Sequence, residues 1–154
     1  MLATLPKPVL PPAIARHTPL PIDAAQNSLR ATGARVTQPR VQVLATLLGS
    51  EQALSHHEIE TLLAGQSIDR VTVYRVLDWL VGQRLAHRIS GQDRIWRFGA
   101  VVDGARHHGH FQCVQCGMVV CLNDIPEQKV TLPAGFRLDR AEVTVTGACG
   151  ACAG

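Results

Sequence analysis

Residues 69–82 read Asp69-Arg70-Val71-Thr72-Val73-Tyr74-Arg75-Val76-Leu77-Asp78-Trp79-Leu80-Val81-Gly82, and this stretch decides the architecture. Val73, Val76, Leu77 and Leu80 recur at helical spacing, forming one apolar stripe that must pack on a core. Asp69 is placed to cap the helix, which reaches about Val81 with Gly82 after it. Arg75 projects from the side opposite the stripe, and Thr72 and Tyr74 flank it. Downstream the period changes. Leu85-Ala86-His87-Arg88-Ile89 and Arg94-Ile95-Trp96-Arg97-Phe98 are short, partly alternating runs around Ser90-Gly91-Gln92-Asp93, which is a hairpin signal.

Upstream, three further helices are predicted. Asp23 can cap one through about Ala31, with Gly33 just past its end. Thr37 can cap a second with Pro39 in its first turn; Val41, Leu44 and Leu48 share a face and Gly49 stops it. Ser55-His56-His57-Glu58 matches a capping box and opens a third helix carrying Ile59, Leu62 and Leu63, closed by Gly65. Short helices followed by a hairpin describe a winged helix, a variant of the helix-turn-helix DNA reader. A generic small helical domain with an appended hairpin would read the same way. In the first case Arg75 can donate two hydrogen bonds to a guanine edge, and Tyr74 can touch a thymine methyl or a phosphate. Thr72 lies on the same surface, and Arg35, Arg40, Arg88 and Arg94 are available for the phosphate backbone. In the second, the surface is a solvated helix face whose Arg75 pairs with Asp78 or Asp69.

The composition fits a globular chain: 154 residues, 46% hydrophobic, 18% charged, net charge +3. No apolar run approaches the roughly 18 residues of a membrane span. The first residues lack a basic region followed by an unbroken apolar stretch, so the expected setting is cytoplasmic, with no membrane partner. The positive excess lies in residues 1–104, whereas residues 105–154 balance four basic against four acidic side chains. Six of the nine prolines fall between Pro6 and Pro21, which predicts a flexible proline-rich tail over residues 1–22.

The last third carries the metal-type residues. Cys113-x-x-Cys116 and Cys149-x-x-Cys152 can supply the four thiolates of a tetrahedral structural Zn²⁺; a pair of disulfides or four inert thiols are the competing readings. In a cytoplasmic setting paired Cys-x-x-Cys turns favour metal or redox use over structural disulfides. Met118 to Leu122 reads as a strand, Asn123 to Val130 as a short helix, and Arg137 to Thr146 as a long strand. Cys121 is left over, in a Val-Val-Cys-Leu strand where a buried thiol can serve simply as a small apolar residue. On a strand, His108 and His110 would share one face with His107 on the other. Together with Cys121 they make a second metal site conceivable, although a histidine cluster also suits a polar surface loop.

With these residues in view, the chain resembles the ferric uptake regulator family of bacterial metal-dependent repressors from about Ala24 to Cys152. The resemblance is carried by Gly33-Ala34-Arg35-Val36-Thr37-Gln38-Pro39-Arg40, by Thr72-Val73-Tyr74-Arg75-Val76-Leu77, and by His107-His108-Gly109-His110-Phe111-Gln112-Cys113-Val114-Gln115-Cys116-Gly117. It implies an α+β fold: an N-terminal winged-helix DNA-binding domain over 23–100, a hinge over 101–106, and a small C-terminal α/β dimerisation and metal-binding domain with a Cys₄ zinc site over 107–154. It also implies a homodimer on palindromic double-stranded operator DNA, no small organic substrate, and no enzymatic activity.

The family's sensory metal set, carried over by position, falls on His87, His108, His110 and Cys121. Three departures bear on which metal is sensed. Arg97, which cannot ligate, stands where iron-sensing members commonly have a glutamate, and Ala53 replaces a histidine found in many members. Cys121 occupies a position often held by glutamate, and a cysteine ligand favours Zn²⁺ over Fe²⁺. Gly109, Gln128 and Ala141 occupy places where further ligands are often found, so no third metal is expected. The resemblance therefore points to the zinc uptake regulator branch, a repressor of metal-uptake genes with one structural and one regulatory Zn²⁺ per chain. An iron- or peroxide-sensing member of the same family is the nearest alternative, and a zinc-ribbon interaction module a further one. A zinc hydrolase centre is disfavoured, since no carboxylate base stands beside an open three-ligand site.

Overall fold

The computed structural model describes residues 20–101, 109–122, 125–126, 129–138 and 141–154. Its elements in chain order are α1 (Ile22–Ala31), α2 (Gln38–Leu48), β1 (Leu54–Ser55), α3 (His56–Leu62), α4 (Arg70–Gly82), β2 (Ala86–Ser90), β3 (Trp96–Ala100), β4 (Gly109–Cys113), β5 (Val119–Leu122) and β6 (Val143–Gly147).

The apolar stripe of α4 is buried as its spacing requires, with Val73, Leu77 and Leu80 fully enclosed against Leu29, Val43, Leu44, Ile59 and Phe98. Asp69 caps α4 through Oδ1, which accepts the Thr72 amide at 2.9 Å. The capping box of α3 is complete. Ser55 Oγ accepts the Glu58 amide at 3.3 Å and Glu58 Oε2 accepts the Ser55 amide at 2.7 Å. Such a reciprocal pair satisfies two amides that have no partner inside the helix. Of its expected apolar face, Ile59 and Leu63 are buried but Leu62 is exposed.

Two helix starts differ from expectation. Pro21, not Asp23, holds the N-cap position of α1, without a side-chain bond; Asp23 instead lies in the first turn, where a carboxylate still complements the helix dipole. Thr37 holds the N-cap of α2, yet its hydroxyl makes no capping bond. A three-residue stripe also understates α2, whose residues from Val41 to Leu47 are all buried. This helix is central, packed by α1, α3, α4 and β3. Thr46 tolerates burial because its hydroxyl donates to the Gln42 carbonyl at 2.8 Å.

The hairpin β2–β3 pairs antiparallel, Ala86 facing Ala100 and Ser90 facing Trp96. The two-residue β1 joins the far side of β3, Leu54 opposite Phe98, and so roots the wing in the helical core. In the second sheet β4 is central: antiparallel to β5, with His110 opposite Cys121, and parallel to β6, with Cys113 opposite Gly147. The expected long strand from Arg137 to Thr146 contracts to Val143–Gly147; Arg137, Leu138, Ala141 and Glu142 belong to no strand, and positions 139–140 lie outside the described residues. The helix expected over 123–130 is absent at its described residues, Ile125, Pro126, Lys129 and Val130; Pro126 supplies no amide for such a helix, and the other positions lie outside the described residues. The two sheets meet where the Ala53 amide donates to the Val119 carbonyl at 2.9 Å beside a bridge between Gln52 and Val120. Among the described residues no helix is long and apolar enough to cross a membrane.

Candidate metal centres and nucleic-acid interface

Parallel strands end at the same edge of a sheet, and β4 and β6 are parallel. This brings the two Cys-x-x-Cys turns together although they are far apart in sequence. Cys113 closes β4, Cys149 follows β6 by two residues, and the four sulfurs of Cys113, Cys116, Cys149 and Cys152 lie within 4.8 Å of one another. Each turn is tied by backbone bonds, Gly117 N to Cys113 O at 3.0 Å and Cys152 N to Cys149 O at 2.9 Å. Gly117 takes φ +75°, a conformation that suits glycine at the back of a tight turn.

The separation of Cys116 Sγ from Cys149 Sγ is 3.8 Å. A tetrahedron with metal–sulfur bonds of about 2.3 Å has edges of about 3.8 Å, so the donor set fits Zn²⁺. As thiols, the four cannot ionise together. Amides of Cys116 and Cys149 hold Cys113 down at about 6, whereas hydrogen bonding among the thiols, first with Cys149, pushes Cys152 up to about 12. A bound dication removes that conflict, because it favours every thiolate at once.

The second cluster spans the two sheets. His87 on β2, His110 on β4 and Cys121 on β5 place their donor atoms within 4.8 Å of one another. Cys121 Sγ lies 3.4 Å from His87 Nε2, and the two imidazole centroids are 5.1 Å apart. His87 is 7% exposed and His110 2%; burial pushes the Cys121 thiol above its ordinary value. Of the four residues expected here, three are together. The fourth, His108, lies outside the described residues, as does its neighbour His107.

Sequence reasoning missed the residue that makes this cluster possible. Gly99 faces His87 across the hairpin, and a Cβ there would sit 2.8 Å from His87 Cε1, 3.0 Å from His87 Nε2 and 3.3 Å from Cys121 Sγ. A glycine within a strand pattern signals such a close approach. Also missed was the use of Arg97. Its buried guanidinium is paired to Asp93 in the wing turn, packed against Gly117 of the first cysteine turn.

On the outer surface Arg75 is exposed and makes no ion pair among the described residues. The anticipated pairing with Asp69 does not form, Asp69 being engaged by the Thr72 amide and hydroxyl. Thr72 thereby serves the cap as well as the surface. Tyr74 is 42% exposed. Arg35 is exposed, but Arg40 has a structural post: Nη1 donates to the Arg35 carbonyl at 2.7 Å and the guanidinium lies 3.7 Å over the Trp79 ring. Arg88 similarly lies over Trp96 on the wing, at 4.6 Å.

A winged helix with an outward arginine, joined across a cluster of imidazoles and a thiol to a sheet fastened by four cysteines, defines a metal-responsive transcription regulator. Residues 31–145 match the model of the ferric uptake regulator family. The transcriptional regulator FurA of Mycobacterium tuberculosis is 32% identical over 133 residues, covering 80% of this chain and 86% of that protein. The ferric uptake regulator of Pseudomonas aeruginosa, solved with manganese, superimposes with a TM-score of 0.59 at 25% identity, covering 82% of this chain and 98% of that one. A zinc uptake regulator complexed with zinc and DNA gives a TM-score of 0.61 at 23% identity, covering 86% and 92%. The chain belongs to the ferric uptake regulator family, whose members are transcription regulators and not enzymes.

Proposed function

We propose that this protein is a zinc-responsive homodimeric repressor that binds palindromic operator DNA when its second metal site is loaded, and so controls metal-uptake genes. The observation that carries this reading is the convergence of His87, His110 and Cys121 from β2, β4 and β5. Two imidazoles and a thiol are a borderline-soft donor set suited to tetrahedral Zn²⁺; His108 is the fourth ligand. Because His87 belongs to the wing and the others to the C-terminal sheet, Zn²⁺ held there would favour one setting of the wing on that sheet. Differential affinity for that setting is what lets a metal shift a population. Cys113, Cys116, Cys149 and Cys152 hold a second, structural zinc.

In this reading α4 enters the major groove with Arg75 and Tyr74 foremost, Thr72 beside them and Arg35 on the backbone. Arg40 acts by bracing the loop that presents Arg35. Residues 107–154 form the dimerisation domain. The edge position of β6 and the exposed Val130, Phe136, Leu138 and Val145 support pairing with a second copy. Two copies read a two-fold operator.

Iron is the second reading, favoured by the match of residues 31–145 to the ferric uptake regulator family. Operator binding titrated against buffered free Zn²⁺ and, separately, Fe²⁺ decides between them. The zinc reading requires half-saturation at far lower free Zn²⁺ than Fe²⁺, with the response lost in Cys121→Ser. An intact zinc response in that variant rejects the site.

A further inference from the structure

The capping box of α3 contains a histidine that capping does not use. His56 is the first residue of α3, and its ring lies flat on Tyr74 of α4, with centroids 3.4 Å apart and planes 18° apart. Its edge meets the buried Phe98 of β3 at 5.3 Å in a T-shaped contact. Three rings thus form a ladder from the core to the outer surface, and His56 is the middle rung. Its Nδ1 is buried with no hydrogen-bond partner among the described residues. The side chain is therefore held by its faces and edge, not by its polar atoms.

We infer that His56 is a positioning residue for Tyr74, fixing the phenol in the orientation in which α4 presents it to DNA. A tyrosine ring 42% exposed would otherwise sample several rotamers, and ordering it on binding costs free energy. With one face covered by His56, the partly exposed ring is held in one orientation in advance. Arg70 restrains it further, its guanidinium 5.8 Å from the Tyr74 ring and 3.2 Å from Glu60. Burial draws the His56 imidazole below its ordinary value; Glu60 and Asp78 pull the other way and Arg70 adds to the lowering. The stack therefore forms with the neutral ring at pH 7. The inference rests on the reading of α4 as the DNA-reading helix.

The test uses the full-length, zinc-loaded protein and a duplex that the wild type selects from a randomised pool. His56→Ala should weaken binding about tenfold, while adding little in a Tyr74→Ala background, since contacting residues couple. The loss should be concentrated at the base positions that Tyr74→Ala also disturbs. His56→Phe keeps a flat ring without the imidazole nitrogens and should restore affinity. Additive losses, an unchanged affinity for His56→Ala, or a loss spread evenly over all base positions and tracking a lower melting temperature overturns the inference. If Tyr74→Ala alone changes nothing, the role given to Tyr74 on α4 fails and takes this one with it. Neutral His56→Ala beside a damaging Tyr74→Ala rejects the inference alone.

Discussion

Arg97 grips Asp93 with two hydrogen bonds, Nη1 to Oδ1 at 3.0 Å and Nη2 to Oδ2 at 2.7 Å, directly against Gly117. The wing turn is thereby seated on the first cysteine turn through a buried guanidinium that has a matching carboxylate. Asp93→Ala would leave that cation without its partner. The expected loss is about 2 kcal/mol, less than for a fully enclosed pair because solvent reaches a third of Asp93. Arg97 holds the Asp93 carboxyl below its ordinary value. The contribution is therefore complete above about pH 4 and disappears as pH falls through the lower folded-state value. Urea melts of both proteins between pH 3 and 7 should show the gap closing on the acid side only.

Gly99→Ala asks whether the space beside His87 is needed. Alanine is ordinarily no worse than glycine in a strand, yet here its methyl would press on the imidazole and the thiol. Thermal stability should change little while the free zinc required for half-maximal operator binding rises at least tenfold, the scale of effects seen when a ligand's support is disturbed. An unaltered zinc midpoint would mean that His87 does not ligate.

Removal of bound metal with a strong chelator should unfold the β4–β6 sheet and leave the α1–α4 core folded. The core is a continuous apolar cluster contained within residues 25–98, whereas the C-terminal sheet leaves many of its few large apolar side chains exposed. Amide hydrogen exchange should show protection lost at β4 and β6 and retained at α2 and α4. Protons compete with the metal for the thiolates, so release should become easier with falling pH, especially once pH passes below the Cys113 value of about 6.

Arg75→Ala should cost roughly 1–3 kcal/mol at a single base position and relax specificity there, without altering the melting temperature. Arg35→Ala should instead weaken binding evenly across sequences and lower the salt dependence. A uniform loss for Arg75→Ala would make it a phosphate contact and leave base reading to its neighbours.

The helices and the hairpin were legible because their signals are local. The Val73–Leu80 stripe, the Ser55/Glu58 box and the glycines that follow α1, α2 and α3 depend on neighbours within a turn or two; Gly82, expected just past α4, is instead its last residue, with Gln83 at the C-cap. Pairings made across long stretches of chain were not. Leu54-Ser55 is too short to show a period, and it becomes a strand only because Phe98 lies opposite. The parallel register of β4 and β6 leaves no mark in either segment alone, although the two Cys-x-x-Cys motifs required their ends to meet. The three members of the His87, His110 and Cys121 cluster were named from sequence, but Gly99, which makes room for them, was not. Arg97 was recognised as unable to ligate, yet its partner Asp93 could be found only once the turn between them was closed.

The parallel pairing of β4 and β6 also dictates an order of events during synthesis. The residues of the helical core cluster, and the whole wing, are translated before residue 102, so that part can close while the rest is still being made. β4 can pair with β5 early, but its other edge has to wait for β6, and Cys113 and Cys116 for Cys149 and Cys152, across a long intervening segment. A nascent chain can therefore fold its helical core and wing before the four-cysteine site that fastens the C-terminal sheet exists, and that site is completed last.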